Sequence, residues 1–289
     1  MEDPSPLLAA LVDLARNAGA VIMQMYKSDF SISRKADKTP VTEADQRAEA
    51  LILEGLANIA PTIPVIAEEA AAAGHLPPPA RRFFLVDPLD GTREFISRNG
   101  EFTVNIALVE DHCAQLGVIF APACNRLFAG AAGLGAFELD AGSSAPASTL
   151  LTTARTLTGA ARMQTVAKDD ARKRIKALTS RSHADPETDG FLKRCGIDER
   201  LTAGSSLKFC LLAAGAADVY PRFGPTMEWD TAAGQAILQA AGGMVLTRAG
   251  TPLRYGKVED GYRNPAFIAW ANPGLRDDLL GSGEDGAPG

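Results

Sequence analysis

The sequence predicts an α+β fold. Two observations carry that reading. Stretches with apolar residues at helical spacing are interspersed with short β-type runs along the whole chain, and neither kind is confined to one region. At 289 residues, 46% apolar and 22% charged, the chain is also long enough to bury one large core or two smaller ones.

The elements follow in order. Residues 7–25 line up Leu7, Leu8, Leu11, Leu14, Ala18, Val21, Ile22 and Met25 on one stripe, which predicts a helix. Residues 35–40 read as a polar turn. Thr42 is an N-cap residue with Glu43 and Asp45 behind it, so a second helix is expected to run to about residue 57. "IPVIAEEA" is a short strand ending in two acids, and "HLPPPARR" is a proline-rich loop. "RRFFLVD" predicts a strand ending at Asp87. "FTVNIALVE" and "AQLGVIFAP" predict further strands, and "RLFAGAAGLGAFEL" a hairpin. Residues 140–158, rich in Ser, Ala, Thr and Gly, read as a loop, and the basic run "KDDARKRIK" as a solvated face.

In the second half, "ALTSRS", "DVYPRF", "MVLTR" and "AFIAWA" read as strands. "DPETDGFLKRCG", "SSLKFCLLAAGAA" and "TAAGQAILQAAGG" read as helices, the last closed by Gly242-Gly243. A boundary near residues 160–170 divides the chain into a domain of residues 1–165, a domain of residues 166–280, and a disordered tail of residues 281–289.

The bulk numbers exclude some functions. A net charge of −6 argues against a general nucleic-acid surface, while leaving room for a small basic pocket. Cys113, Cys124, Cys195 and Cys210 have neither metal-type spacing nor a disulfide framework, which fits reduced thiols. The acidic, polar start is not a signal peptide. No apolar run reaches the roughly 18–20 residues of a membrane span. The expected place is therefore the cytoplasm, with no integral membrane segment. "GLG" at residues 133–135 lacks the third glycine of a dinucleotide-binding loop. "RSH" is not a Ser-His hydrolase pair, because neighbours on a strand point to opposite faces.

Chemistry concentrates in the carboxylates at element ends: Glu68-Glu69, Asp87 with Asp90, and Asp230. Oxygen ligands on rigid termini suit a hard cation such as Mg2+. In "FLVDPLDGTREF" Pro88 fixes the backbone so that both aspartates can face one point, and frees the Leu89 carbonyl as a further ligand. If a helix starts at Gly91-Thr92, its free N–H groups form an anion site beside the cations. That combination suits a phosphate ester. Taken singly, each acid has an ordinary reading: Asp90 as a turn residue, Asp230 as an N-cap, Glu68-Glu69 as surface acids, Asp45 as a helix-dipole partner. Their co-occurrence is what favours the site.

"FLVDPLDGTREF" and "MEWDTAAGQAILQAAGG" resemble the paired signatures of the Mg2+-dependent, lithium-sensitive phosphatases. These include inositol monophosphatase, fructose-1,6-bisphosphatase and 3'(2'),5'-bisphosphate nucleotidase. "KADKTPVTEAD", "EFISRNGEFTVNIALV", "SRSHAD" and "GSSLKFCLLAAGAADVYPRFGPT" look most like the bisphosphate nucleotidases. The resemblance covers nearly the whole chain. It implies a layered α-β-α-β-α sandwich of the inositol monophosphatase/fructose-1,6-bisphosphatase type.

The resemblance also implies roles. Glu68, Asp87 and the Leu89 carbonyl match the ligands of a first metal, and Asp87, Asp90 and Asp230 those of a second. Glu68 also matches the place that orients waters of a third. Thr92 and Asp45 match the pair that positions and deprotonates the attacking water, and Gly91 and Thr92 N–H groups would hold the phosphate. Ser205, Lys208 and Arg222 match contacts to a second phosphate and ribose, and His183 lies near the nucleoside. The implied reaction is hydrolysis of adenosine 3',5'-bisphosphate to AMP and phosphate in sulfur assimilation and nucleotide recycling, with 3'-phosphoadenylyl sulfate as a second substrate, two or three Mg2+ ions, and inhibition by Li+. A monomer or homodimer is expected, and some relatives attach to the inner face of the membrane. An inositol or sugar phosphatase, and a non-catalytic nucleotide-binding protein, stay open as alternatives. Three departures from the pattern stand out: Ala67 before the two glutamates, Arg93 where lysine is common, and Phe84 where tryptophan is common.

Overall fold

The computed structural model describes residues 3–28, 32–34, 40–158, 175–182 and 185–280. They stack in five layers. Helices α1 (Ser5–Tyr26) and α2 (Glu43–Ile59) pack on each other and on one face of a seven-stranded sheet. That sheet contains β3 (Val65–Ala67), β4 (Arg82–Asp90), β5 (Thr103–Glu110), β6 (Cys113–Ala121), β7 (Arg126–Ala131), β8 (Gly135–Asp140) and β9 (Arg155–Leu157), in that order. Only β3 and β4 are parallel; every other neighbouring pair is antiparallel. A separate two-stranded ribbon, β1 (Ile32–Arg34) with β2 (Pro40–Thr42), leads into α2.

Helices α7 (Leu207–Ala213) and α8 (Ala232–Ala240) form the middle layer. Behind them lies a five-stranded sheet in the order β11 (Glu199–Ala203), β10 (Lys176–Ser180), β12 (Val219–Arg222), β14 (Phe267–Trp270), β13 (Met244–Thr247). Its outer face is covered by α6 (Pro186–Arg194) and α9 (Pro273–Leu280). Three short helices fill the connections: α3 (Glu68–Ala72), α4 (Thr92–Ile96) and α5 (Ala147–Thr153).

The period-two geometry of a strand explains the layering. In β4, Phe84 and Val86 point into the core shared with α1 and α2, while Phe83 and Leu85 point into the core shared with α7 and α8. The small sheet divides likewise: Tyr220 and Ala269 face the middle helices, and Val219, Ile268 and Trp270 face α6 and α9. Gly117 of β6 permits the close approach of α8, since a Cβ there would stand 2.2 Å from the Ala233 carbonyl oxygen.

The fold differs from the sequence reading in several places. Strand β4 does not end at Asp87 but runs on through Pro88 to Asp90. Residues 140–158 are not one loop: they hold α5 and β9, built on Leu150 and Leu157, which are buried in the core. Strand β11 and helix α9 had no sequence signal of their own. By length and composition, the 22-residue α1 is apolar enough to cross a membrane, although no uninterrupted apolar run reaches that length. Its stripe is buried against the large sheet and α2, with Leu8, Leu11, Val12 and Ile22 fully covered. The division at residue 165, the tail of residues 281–289, most of the basic run and most of the turn at 35–40 lie outside the described residues.

Candidate active site

The first wall of the site comes from an irregularity in β4. Asp87 pairs with Asn105 and Asp90 with Thr103, so three steps along β4 match two along β5. In a regular strand residues three apart face opposite sides. The extra residue of the bulge returns Asp90 to the side that Asp87 faces. Pro88 sits inside the bulge, where its missing N–H breaks no ladder. The Leu89 N–H turns back to Asp87 Oδ1 at 3.0 Å. Gly91 follows in the left-handed region at φ 95°, and a Cβ there would lie 3.2 Å from the Glu101 carbonyl oxygen, so glycine is required. Helix α4 starts at Thr92 with N–H groups free of helical partners.

Thr92 faces Asp45, the third residue of α2. Its Oγ1 lies 3.2 Å from Asp45 Oδ1 and 3.4 Å from the Leu89 carbonyl oxygen; a single proton serves one of them at a time. Asp45 Oδ2 accepts from the Thr42 N–H at 2.8 Å and the Thr42 hydroxyl at 2.6 Å. The capping box that starts α2 is thus also what aims Oδ1 at Thr92. Burial raises the Asp45 carboxyl above its ordinary range, against the opposing pull of the Thr42 bonds.

Glu68 opens α3, one residue after β3. Ala67 is in extended backbone at φ −117° and needs no glycine, so its departure from the family pattern costs no geometry. The cap is supplied from α2 instead: Glu49 accepts the N–H groups of Glu69 and Ala70, each at 2.8 Å. Asp230 arrives from the other half of the chain. It does not cap α8, whose N-cap is Thr231; its Oδ2 accepts the Met227 N–H at 2.8 Å.

These carboxylates strain against one another. Asp87 is pushed well above its ordinary value, first by burial and then by the charges of Glu68, Asp90 and Asp230. Asp230 is pushed up by burial and by Asp90 and Glu68. Asp90 is raised by burial, although Ser206, Lys208 and Asn105 oppose the shift. Among the described residues no three His, Cys, Asp or Glu side chains already close round a single point. The donor set nevertheless fits hard cations: all oxygen, anionic, mutually repelling and buried, so that positive charge is what the cluster lacks.

Asp87, Asp90, Asp230, Glu68, Thr92 and Gly91 border one cavity of about 630 Å³, with Leu89 beside them. Asp45 stands behind Thr92, outside the lining. Ser205, Lys208 and Arg222 form a second wall of the same cavity, adjoining the carboxylates. Ser205 has φ 46°, and its Oγ is buried with no partner among the described residues. Lys208 is neither a surface lysine nor free: it is 4% exposed and its Nζ donates to the carbonyls of Ser205 at 2.6 Å and Ala203 at 3.2 Å. Burial pushes its ammonium down to about 8, with the charge of Asp90 pulling the other way. Arg222 lies on β12, in the middle of its sheet rather than at an edge, and is 9% exposed. Its Nη2 donates to the Pro225 carbonyl at 3.0 Å, while its buried Nε has no partner among the described residues. His183 lies outside the described residues. His112 is away from the cavity, its Nδ1 2.7 Å from the Tyr255 carbonyl oxygen. All four cysteines are unpaired. Arg93 lies on the cavity rim and Phe84 in the core.

Sequence reasoning missed Ser206, Asn105, Thr103 and Glu49. All four are buried polar side chains; Ser206, Asn105 and Glu49 act on segments distant in sequence, and Thr103 acts through Asn105, so no local pattern marks them.

The geometry has counterparts among known proteins. The profile of the Inositol monophosphatase family matches residues 3–272. The 3'(2'),5'-bisphosphate nucleotidase CysQ of Escherichia coli (strain K12) is 43% identical over 263 residues, covering 90% of this chain and 98% of the relative. That of Salmonella typhimurium is 44% identical over the same span. Among solved structures, CysQ from Bacteroides thetaiotaomicron superposes with a TM-score of 0.74 at 39% identity, covering 93% of this chain and 98% of that one. An inositol monophosphatase from Anabaena gives 0.68 at 26% identity, covering 95% of each chain.

Proposed function

Because the chain belongs to the inositol monophosphatase family, we propose that it is a 3'(2'),5'-bisphosphate nucleotidase, hydrolysing adenosine 3',5'-bisphosphate to AMP and phosphate, and 3'-phosphoadenylyl sulfate as a second substrate. The observation that carries this reading is the single cavity with repelling carboxylates on one wall and Lys208 and Arg222 on the other. A substrate with two phosphates has an anion for each wall.

Two or three Mg2+ ions, held by Glu68, Asp87, the Leu89 carbonyl, Asp90 and Asp230, would neutralise phosphate oxygens, acidify the attacking water and stabilise the leaving oxygen, and Li+ would inhibit. The protein's own part is proton handling and orientation. The Thr92 hydroxyl takes the proton of the attacking water as it passes its own to Asp45 Oδ1. The raised affinity of the buried Asp45 for a proton suits it to that task. The Gly91 and Thr92 N–H groups hold the scissile phosphate in line. Arg222 turns its unpartnered Nε to the second phosphate, Ser205 its unpartnered hydroxyl to the ribose or that phosphate, and His183 flanks the nucleoside. The domain of residues 1–165 supplies Glu68, Asp87 and Asp90, and the domain of residues 166–280 supplies Asp230 with Ser205, Lys208 and Arg222. The enzyme works in the cytoplasm, as a monomer or homodimer and without nucleic acid.

One observation favours the second reading, an inositol or sugar phosphatase. Lys208 is occupied by two carbonyls, which leaves Arg222 to carry most of the second-phosphate recognition. The test is phosphate release with Mg2+ from adenosine 3',5'-bisphosphate and inositol 1-phosphate side by side, with and without Li+. A strong, lithium-sensitive preference for the nucleotide is expected. A preference for inositol 1-phosphate would overturn the substrate assignment and keep the metal chemistry.

A further inference from the structure

Ser206 occupies an unusual place. It lies at the start of α7, in the second half of the chain, yet its N–H and hydroxyl both reach Asp90 Oδ2 in the first half, at 2.7 and 2.6 Å. The same Oγ accepts from Asn105 Nδ2 at 2.7 Å and lies 2.8 Å from the Asp230 carbonyl oxygen. Asn105 is fixed in turn by the Thr103 hydroxyl, which donates to its Oδ1 at 2.9 Å. Thr103, Asn105 and Ser206 are 0%, 1% and 2% exposed, so no water competes for these bonds. Lys208 supports the turn from behind by holding the Ser205 and Ala203 carbonyls.

A carboxylate on a free side chain can swing either oxygen, or both, toward a cation. Asp90 cannot. With Oδ2 held by two donors and approached by Asn105 Nδ2 at 3.4 Å, Oδ1 is the oxygen free of these donors. We infer that Ser206 is a positioning residue: its hydroxyl, ordered by the Thr103–Asn105 chain, selects the Asp90 oxygen offered to the cation, and thereby makes cation affinity depend on the seating of the second half of the chain against the first. This rests on the metal-site reading above. Removing such a partner commonly weakens metal binding about 10- to 100-fold. The Ser206 N–H remains after truncation, so the lower part of that range applies.

The experiment measures Mn2+ binding to the full chain by calorimetry, without substrate, alongside the Mg2+ dependence of turnover. Ser206→Ala is expected to weaken Mn2+ binding about 10-fold, to raise the Mg2+ concentration needed for half-maximal rate by a similar factor, and to recover turnover at high Mg2+. Ser206→Thr, which keeps the hydroxyl, is expected to restore affinity. Asn105→Ala should weaken binding less, and add nothing to Ser206→Ala, because both act through one hydroxyl. Asp90→Asn separates the two readings. If Asp90→Asn loses Mn2+ and Ser206→Ala binds like wild type, the positioning role is overturned. If neither changes Mn2+ binding, the metal site itself is wrong. Should Ser206→Ala fail to fold, an unchanged affinity in Asn105→Ala overturns the inference. A fall in turnover with unchanged cation affinity also overturns it.

Discussion

The two walls of the cavity are built differently. The Asp87–Thr92 wall is one continuous stretch. A proline and a left-handed glycine within the stretch help to aim its groups, and pairing with β5 sets the bulge between Asp87 and Asp90. The second wall of Ser205, Lys208 and Arg222 comes from a turn, a helix and a strand. Its groups are aimed by contacts of two ranges: Ser206 is held on Asp90 from the other half of the chain, while Lys208 and Arg222 are held by carbonyls within five residues of each. The first wall should therefore fail in chemistry when altered and keep its shape. The second should lose discrimination and shape together.

The largest effect sharpens the first half of that comparison. Asp90→Asn is expected to lower turnover by about 10³-fold, the several kcal/mol of a lost metal contact. It should leave the metal-free melting temperature equal or higher, because one charge of a repelling cluster is gone. Near wild-type activity would remove Asp90 from the site. Next comes Thr92→Val, expected to reduce kcat by about 10²-fold with Mn2+ binding intact, since proton handling commonly contributes 10²–10⁴-fold. An equal loss of Mn2+ binding would make Thr92 a structural residue instead.

On the second wall, Arg222→Lys is expected to cut kcat/KM for adenosine 3',5'-bisphosphate about 10-fold, because a lysine lacks the guanidinium fork. Inositol 1-phosphate should be unaffected. Lys208→Ala should harm both substrates, since the carbonyls it holds support the Ser205–Ser206 turn. A loss confined to the bisphosphate would return Lys208 to direct recognition of the second phosphate.

The smallest effect concerns stability. The carboxyls of Asp87 and Asp230 are raised on folding, so the metal-free folded state binds protons that the unfolded state has released. With more protons on the folded side, stability falls as pH rises above the ordinary carboxylate range. The metal-free protein should melt lower as pH is raised from the ordinary carboxylate range toward neutrality, at about 2–4 °C for each kcal/mol lost. Added Mg2+ should remove most of the difference. A metal-free melting temperature that does not fall over that range would show that the cluster is not repelling.

Much of the fold was legible because its signals are local. The stripe of α1, the Thr42 cap, the hairpin of β7 and β8 and the Gly242 close of α8 each depend on residues within a few positions. The bulge was half legible: "DPLDG" pointed to two convergent aspartates, while the continuation of β4 depended on pairing with β5. Helix α5 and strand β9 were hidden because Leu150 and Leu157 stand among small polar residues and acquire their place only from the core around them.

The sequence by itself determined the acids, their spacing and the turn that joins them to Thr92, because backbone preference and residue type act over a few bonds. Only the tertiary structure decided the rest. It buried Lys208 and gave it two carbonyls, put Arg222 on a central strand, and brought Ser206 to an aspartate 116 residues away. The physical reason is one of range. A hydroxyl or an ammonium has no fixed role in a chain until folding removes its water and supplies one partner, and that partner can lie anywhere in the sequence.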